Sequence, residues 1–278
     1  MPRKKVQSGV ASDTGQRRKN NEDSWLICEP EGELNLKTKG RLYAVADGMG
    51  GSVAGEIASR LAVRELQKYY FAEVPSQPPQ EALRKAFQAA YESIRRKAMA
   101  EPELTGMGTT LTAVALRDNT AYVAHVGDSR AYLIRGKEII QLTRDHTVTA
   151  SLVEKGEITP EQAKTHPQRH ILLQALGGRK QPTVELLTVP VKPKDVFILC
   201  SDGLYNAVSD DEIKEIITSA PDIQKAAGTL VALANQRGGR DNITVVVVKK
   251  VKPANLLGAV LLTILTIVLI VAVKWIFF

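Results

Sequence analysis

Leu42-Tyr43-Ala44-Val45-Ala46-Asp47-Gly48-Met49-Gly50-Gly51 is the stretch on which the reading of this chain turns. Five apolar residues bounded by Asp and Gly predict a buried strand that delivers a carboxylate at its C-terminal tip. The pattern returns at Val196-Phe197-Ile198-Leu199-Cys200, which runs through Ser201 into Asp202-Gly203. A single Asp-Gly pair is common turn chemistry. Repetition changes its weight, because an ionised carboxylate at the rim of an apolar core is costly unless it is hydrated, paired or bound to a metal.

Further acidic residues stand at strand ends. Gly127-Asp128-Ser129-Arg130 follows the predicted strand Ala121 to Val126, and Asp241-Asn242 precedes Ile243 to Val248. Asn21-Glu22-Asp23 lies just ahead of Trp25-Leu26-Ile27. Oxygen donors without a Cys or His cluster suit a hard cation, Mn²⁺ or Mg²⁺, and several carboxylates leave room for two ions. Such a pair clamps a phosphoryl group and acidifies a water. A guanidinium that grips phosphate oxygens in its planar fork would complete the set, and Arg18 is close to Glu22 and Asp23 in sequence.

Working outward, strands are also expected at Thr109 to Leu116 and Ala131 to Ile134. Helical spacing appears at Ala54 to Phe71, at Gln80 to Met99 behind Pro79, and at Ile223 to Gln236. Strands joined by short turns, with long helices between groups of them, predict an α+β layered domain of antiparallel sheets covered by helices. Thr143 to His170 is a long irregular excursion, with weak helical patches at Ser151 to Lys155 and Glu161 to Lys164, and reads as a flap.

The chain has 278 residues, 44% hydrophobic and 24% charged, enough for a sizeable core. Its two cysteines, Cys28 and Cys200, exclude a disulfide framework and a zinc ribbon. Although 37 basic residues outweigh 30 acidic ones, for a net charge of +7, they are scattered, so nucleic-acid binding is not supported. Met1-Pro2-Arg3-Lys4-Lys5 has no apolar stretch behind it and is not a signal peptide.

The far end differs. Residues 254–273 read ANLLGAVLLTILTIVLIVAV without a charge. At about 1.5 Å per residue this spans the ~30 Å hydrocarbon layer as one transmembrane helix. Lys249, Lys250 and Lys252 precede it and Lys274 follows, which places the body in the cytoplasm. The expected order is a catalytic domain at residues 1–250, a linker at 251–253, the span at 254–273 and a tail at 274–278. The lipid bilayer is the expected partner of the span.

In order along the chain stand Arg18-Lys19-Asn20-Asn21-Glu22-Asp23, Asp47-Gly48-Met49-Gly50-Gly51, Gly106-Met107-Gly108-Thr109-Thr110, Gly127-Asp128-Ser129-Arg130, Asp145-His146, Ala175-Leu176-Gly177, Ser201-Asp202-Gly203 and Asp241-Asn242-Ile243-Thr244. This ordered set resembles the metal-dependent Ser/Thr protein phosphatases of the protein phosphatase 2C type, in their bacterial branch, over roughly residues 6 to 250. The resemblance implies two stacked antiparallel sheets with helices on both outer faces, an α-β-β-α sandwich. It implies that Asp47 bridges two Mn²⁺ or Mg²⁺ ions, that the Gly48 carbonyl binds one, and that Asp202 and Asp241 bind the other. Glu22 and Asp23 would hold metal-bound waters and Arg18 the substrate phosphate. Asp128, with Asp202, matches a third-metal position beneath the flap. The implied reaction is direct hydrolysis of phosphoserine or phosphothreonine in proteins, with no phosphoenzyme. Placement beside a bilayer would bring a membrane Ser/Thr kinase or its targets within reach.

Two departures stand out. Asn206 occupies a position where many relatives carry Asp, removing a charge near the third metal. Met49 replaces a histidine of many eukaryotic members, so the proton donor proposed for those is absent and no residue is assigned to that role. Both features lend some footing to a reading from another class, a catalytically dead fold kept as a phosphoprotein-binding module. Asp47, Asp202, Asp241 and Arg18 argue for the enzyme. A cysteine phosphatase is excluded because the sixth residue after Cys28 is Leu34, and after Cys200 it is Asn206, where an Arg is required. Val53 occupies the third glycine position of a dinucleotide loop, and no Walker-type phosphate loop occurs.

Overall fold

The computed structural model describes residues 6–30, 33–72 and 77–251. Among these residues no helix is long and apolar enough to cross a membrane, and the expected span at 254–273 lies outside them.

Twelve strands form in the described chain: β1 (Val6–Asp13), β2 (Ser24–Cys28), β3 (Arg41–Ala46), β4 (Gly48–Met49), β5 (Gly108–Thr109), β6 (Leu111–Arg117), β7 (Thr120–Val126), β8 (Arg130–Arg135), β9 (Glu138–Gln141), β10 (Glu185–Pro190), β11 (Val196–Cys200) and β12 (Ile243–Lys250). One antiparallel sheet has the order β1-β12-β11-β8-β9 and the other β10-β7-β6-β3-β2; β4 and β5 pair alone. The helices are α1 (Glu33–Thr38), α2 (Ser52–Ala72), α3 (Pro79–Ala100), α4 (Val148–Glu154), α5 (Pro160–Thr165), α6 (Asp202–Tyr205), α7 (Asp210–Ser219) and α8 (Ile223–Gln236).

The central strands are apolar on both faces because both faces are covered. Alternate residues of β3, β6, β8, β11 and β12, among them Tyr43, Val45, Val114, Leu133, Phe197, Leu199 and Val246, meet between the sheets. Their neighbours in β3 and β6 face α2 and α3, where Leu66, Phe87 and Ile94 are buried. Those in β11 and β12 face α7 and α8 through Ile213, Ile217 and Leu230. Three apolar layers therefore separate four structural layers in the order helix, sheet, sheet, helix.

Local chemistry sets the element ends. Pro79 opens α3, whose buried residues Ala82, Leu83, Ala86, Phe87, Ala90 and Ile94 recur at helical spacing. Ser209 and Glu212 form a capping box on α7, and the Asp222 side chain caps α8 through Lys225 N–H.

The sequence predicts one strand over Thr109 to Leu116, but the structure breaks it at Thr110. There the Oγ1 accepts the Asp47 N–H at 2.9 Å while the Thr110 N–H bonds the Asp47 carbonyl at 2.9 Å. The chain bends to grip Asp47, so Gly108-Thr109 pairs with Gly48-Met49 instead of extending β6. β1 and β10 were not expected, because edge strands with a polar residue at every second or third position lack the apolar run that marks β11. The Thr143 to His170 excursion carries α4 and α5 and closes on itself through Val148 N–H to the Ile171 carbonyl (2.9 Å) and Leu173 N–H to the His146 carbonyl (2.8 Å).

Candidate metal centre

Antiparallel stacking brings five chain segments to one end of the sandwich. β3, β7 and β11 arrive there with their C-terminal ends, followed by Asp47, Asp128 and Asp202, while β2 and β12 leave from it, preceded by Asp23 and Asp241. Residues from 18 to 241 thereby share one electrostatic environment. Asp47 feels the charges of Asp23, Asp202, Asp128 and Asp241, and its carboxyl is within hydrogen-bond reach of Asp202.

The scaffold around these carboxylates is fixed by backbone bonds. Besides the Thr110 N–H, the Asp47 carbonyl accepts the Thr109 hydroxyl at 2.8 Å. The Asn242 side chain accepts Glu22 N–H at 2.8 Å and donates to the Thr14 and Asn20 carbonyls, each at 2.9 Å. It staples the Arg18–Asp23 loop onto the start of β12. Ser59 from α2 donates to the Glu22 carbonyl at 2.5 Å. Thr109, Thr110 and Asn242 belong to motifs quoted from the sequence, yet their holding function depends on contacts between segments far apart in the chain.

Two glycines let backbones approach as closely as this site needs. A Cβ on Gly48 would stand 2.2 Å from the Gly55 carbonyl oxygen and 2.6 Å from that of Glu22. A Cβ on Gly55 would stand 1.8 Å from Glu22 Oε2. The Glu22 carboxylate therefore occupies the space that a side chain on the first turns of α2 would fill.

The cluster is electrostatically unsatisfied by the protein alone. Burial, then repulsion from its acidic neighbours, raises Asp47 well above the usual carboxylate range. Burial pushes Asp128 up to about 7 and Asp202 up to about 6, with neighbouring aspartates adding to both. Asp23 also rises to about 7 through burial, although its Oδ2 accepts the Ser201 hydroxyl at 2.7 Å. Its Oδ1 is buried without a hydrogen-bond partner. Arg18 Nη2 bonds Asp241 Oδ2 at 2.7 Å, and its charge also reaches Glu22 and Asp202. Oxygen-only donors, repelling one another in a buried cluster with an unpaired oxygen, fit hard divalent cations.

The departures have defined places. Asn206 donates from Nδ2 to Asp202 Oδ2 at 3.1 Å, so an amide supports that carboxylate where an acid would repel it. Met49 pairs with Gly108 in the short β4–β5 ladder. His146 is 7% exposed, and its Nδ1 accepts the Gly127 N–H at 3.2 Å, which makes it part of the flap's root. His125, His146 and Glu185 bring potential ligand atoms within 4.8 Å of one another. His125 already has Nδ1 2.8 Å from Thr112 Oγ1 and Nε2 3.0 Å from the Arg144 carbonyl, so this trio is a structural knot.

Behind Asp128 lies a connection with no counterpart in the sequence reading. Arg130 is bidentate to Asp145, with bonds of 2.9 and 2.7 Å, and also donates to the Tyr132 hydroxyl at 2.8 Å. Its guanidinium lies 3.6 Å over the Tyr205 ring, and the Tyr205 hydroxyl donates to the Asp128 carbonyl at 3.0 Å. The flap's root, α6 and the Asp128 turn are thereby tied together.

Residues 8–155 match the family model described as protein phosphatase 2C. Serine/threonine protein phosphatase PstP of Mycobacterium tuberculosis is 41% identical over 237 residues, covering 85% of this chain and 43% of PstP. The chain thus spans less than half the length of that relative. Serine/threonine phosphatase stp of Listeria monocytogenes is 39% identical over 242 residues, 86% of this chain and 94% of that one. The crystal structure of M. tuberculosis PstP superposes with a TM-score of 0.79 at 39% identity, over 89% of this chain and 99% of the crystallised one. The PstP catalytic domain in complex with two manganese ions superposes with a TM-score of 0.77 at 38% identity. A crystallised unit spanned almost entirely by this α-β-β-α body folds without further segments. With the family's motifs in order and its fold reproduced at this level of identity, the chain belongs to the protein phosphatase 2C family.

Proposed function

We propose that this chain is a protein-serine/threonine phosphatase that uses two Mn²⁺ or Mg²⁺ ions, and that it works at the cytoplasmic face of a membrane. The carrying observation is the convergence of Asp47, Asp202 and Asp241 with Arg18 at one end of the sandwich, where burial holds the Asp47 and Asp202 carboxyls above their ordinary range. The two manganese ions of the PstP catalytic domain support the choice of cation.

Asp47, the Gly48 carbonyl, Asp202 and Asp241 would hold the ions, with Asp128 and Asp202 offering a third position. When bound, the pair supplies Lewis acidity toward the phosphate and a water deprotonated near neutral pH. Glu22 and Asp23 accept hydrogen bonds from water at the rim and set its orientation. Asn206 and Ser201 hold Asp202 and Asp23 in place. Arg18 grips the nonbridging phosphate oxygens in its fork and lines up the ester for in-line attack. Its exposed bond to Asp241 costs little to release. The flap from Thr143 to His170 rises next to Asp128 and is placed to meet the protein that carries the phosphoresidue.

Phosphate release from a phosphothreonine peptide, with and without Mn²⁺, tests the activity. Turnover is expected only with the metal, and orders of magnitude less in Asp47→Asn and Asp241→Asn, which remove charge from the proposed ligands. Absence of metal-dependent turnover would make the chain a phosphoprotein-binding module. The tether rests on the uncharged stretch 254–273, and a membrane kinase or its targets become the nearest substrates. Full-length chain should stay with membranes through a high-salt wash and leave them only in detergent.

A further inference from the structure

The end of the sandwich opposite the carboxylates is basic, and it is where the chain leaves toward its apolar stretch. Val6 pairs with Lys250 and Val196 with Lys249, so the start of β1, the start of β11 and the end of β12 lie side by side. The other sheet is bonded to the same place, since Lys250 Nζ donates to the Asp118 carbonyl at 2.6 Å, and within that sheet Val191 N–H donates to the Asn119 carbonyl at 2.7 Å. Arg135 closes the group, donating to Asp195 at 2.6 and 3.0 Å and to the Pro190 carbonyl at 2.7 Å.

Lys137, Lys192 and Lys194 project from these turns as exposed residues, with Lys249 half-buried beside them. Of the acids at these turns, Asp195 is 2% exposed and committed to Arg135, while Asp118 and Glu138 are exposed and outnumbered by the basic residues. In the sequence, Arg3, Lys4 and Lys5 precede Val6 and Lys252 follows Val251. The opposite end carries the carboxylates. The eight residues of β12, at about 3.3 Å each, set the two ends roughly 26 Å apart.

We propose that this basic end is a docking surface for an anionic bilayer, seated on acidic lipid headgroups with the metal centre turned away from the membrane. Two observations select a bilayer over other polyanions. The uncharged stretch at 254–273 begins three residues after the last described one, Val251, so the sequence leaves no room for a long tether. The second is charge complementarity, since Lys137, Lys192 and Lys194 are exposed at the end from which the chain continues toward that stretch. Lysines within a Debye length of an acidic leaflet are attracted, and because these stand at one end of the body the attraction fixes an orientation as well as an affinity. Substrates would then be phosphorylated segments held about one domain height above the membrane, not residues at its surface.

The inference takes the position of the bilayer from the tether proposed above, but its test omits residues 252–278, so the two can fail separately. Residues 1–251 would be sedimented with phosphatidylcholine vesicles, with or without about one-third phosphatidylserine, at low and high salt. Binding is expected only to the acidic vesicles and should weaken steeply with salt. Lys137→Glu, Lys192→Glu and Lys194→Glu together should lower it on the order of a hundredfold, with peptide phosphatase turnover in solution unchanged. If the triple reversal melts early, Lys→Gln at the same positions should give a smaller loss in the same direction. Equal binding to both vesicle types, or acidic-vesicle binding that survives the substitutions, would overturn the proposal. So would binding of single-stranded RNA through these lysines with no affinity for acidic vesicles.

Discussion

Arg18 Nη2 lies 2.7 Å from Asp241 Oδ2, so the side chain proposed to hold phosphate neutralises a proposed metal ligand. Both groups are substantially exposed, with 51% and 34% of their side chains accessible, and such pairs contribute little to stability. The pair is therefore free to exchange, Asp241 turning to a cation and Arg18 to an anion.

Arg18→Ala should consequently act on substrate binding. A charge-assisted hydrogen bond contributes about 1.5–3 kcal/mol, so KM for a phosphopeptide is expected to rise roughly ten- to a hundredfold, with kcat changed less. Arg18→Lys should recover part of the loss, since it keeps the charge without the planar fork. Steady-state kinetics at saturating Mn²⁺ checks this; an unchanged KM would remove Arg18 from the phosphate site.

The acidic cluster predicts how stability depends on pH. Folding raises Asp23 and Asp128 to about 7 and Asp202 to about 6, against 3.8 for the ordinary carboxyl. Their contribution is whole below about 3.8 and is lost as pH climbs toward 6 to 7. Buried His125, held down to about 3, works in the opposite direction but is common to the metal-free and metal-loaded protein. The gap between melting temperatures in Mn²⁺ and in EDTA should therefore widen from pH 4 to pH 7. A gap that stays flat would mean that these carboxylates do not receive the ions.

Gly55 sits in a helix, where Ala would ordinarily stabilise by roughly 0.5–1 kcal/mol. Here the added Cβ would stand 1.8 Å from Glu22 Oε2. That oxygen ends a movable side chain, so the helix should survive while the carboxylate swings away. Gly55→Ala is expected to leave thermal unfolding within a few degrees and to weaken Mn²⁺ binding, read by calorimetry, about tenfold. Unaltered Mn²⁺ affinity would show that Glu22 does not orient the site.

Arg130 links Asp145 to Tyr205 and so joins the flap's root to the turn that carries Asp128. The Arg130 and Asp145 side chains are only 21% and 15% exposed, and removing one member of such a pair costs about 3–5 kcal/mol. Arg130→Ala should lose that much in urea unfolding and exchange amide hydrogens faster over residues 143–150. Arg130→Lys should fall between the two, because it keeps the charge but neither the fork nor the stacking. Wild-type exchange at the flap's root in both variants would dissolve the link.

Legibility differed from element to element for physical reasons. β3, β11 and β12 were readable because strands buried on both faces are continuous apolar runs, and α3 because one buried face leaves a helical period. β1 and β10 escaped notice because an edge strand is defined by the neighbour it pairs with, here β12 and β7. The break at Thr110 was hidden for a related reason: its partner, Asp47, is 63 residues away. Asp47, Asp128, Asp202 and Asp241 stood out one by one at strand ends, yet nothing local says that Asn242 clamps the Arg18 loop or that Arg130 braces the flap.

By itself the sequence determined the alternation of apolar strands and amphipathic helices, the acidic residues at strand tips and the uncharged stretch near its end, since each depends on side-chain type and spacing along the chain. Only the tertiary structure decided which carboxylates share a dielectric environment, which glycine makes room for Glu22, and that Lys137, Lys192 and Lys194 gather at the end opposite the carboxylates. Those properties arise from distances between residues far apart in sequence, 223 positions for Arg18 and Asp241, and such distances exist only after the two sheets have stacked.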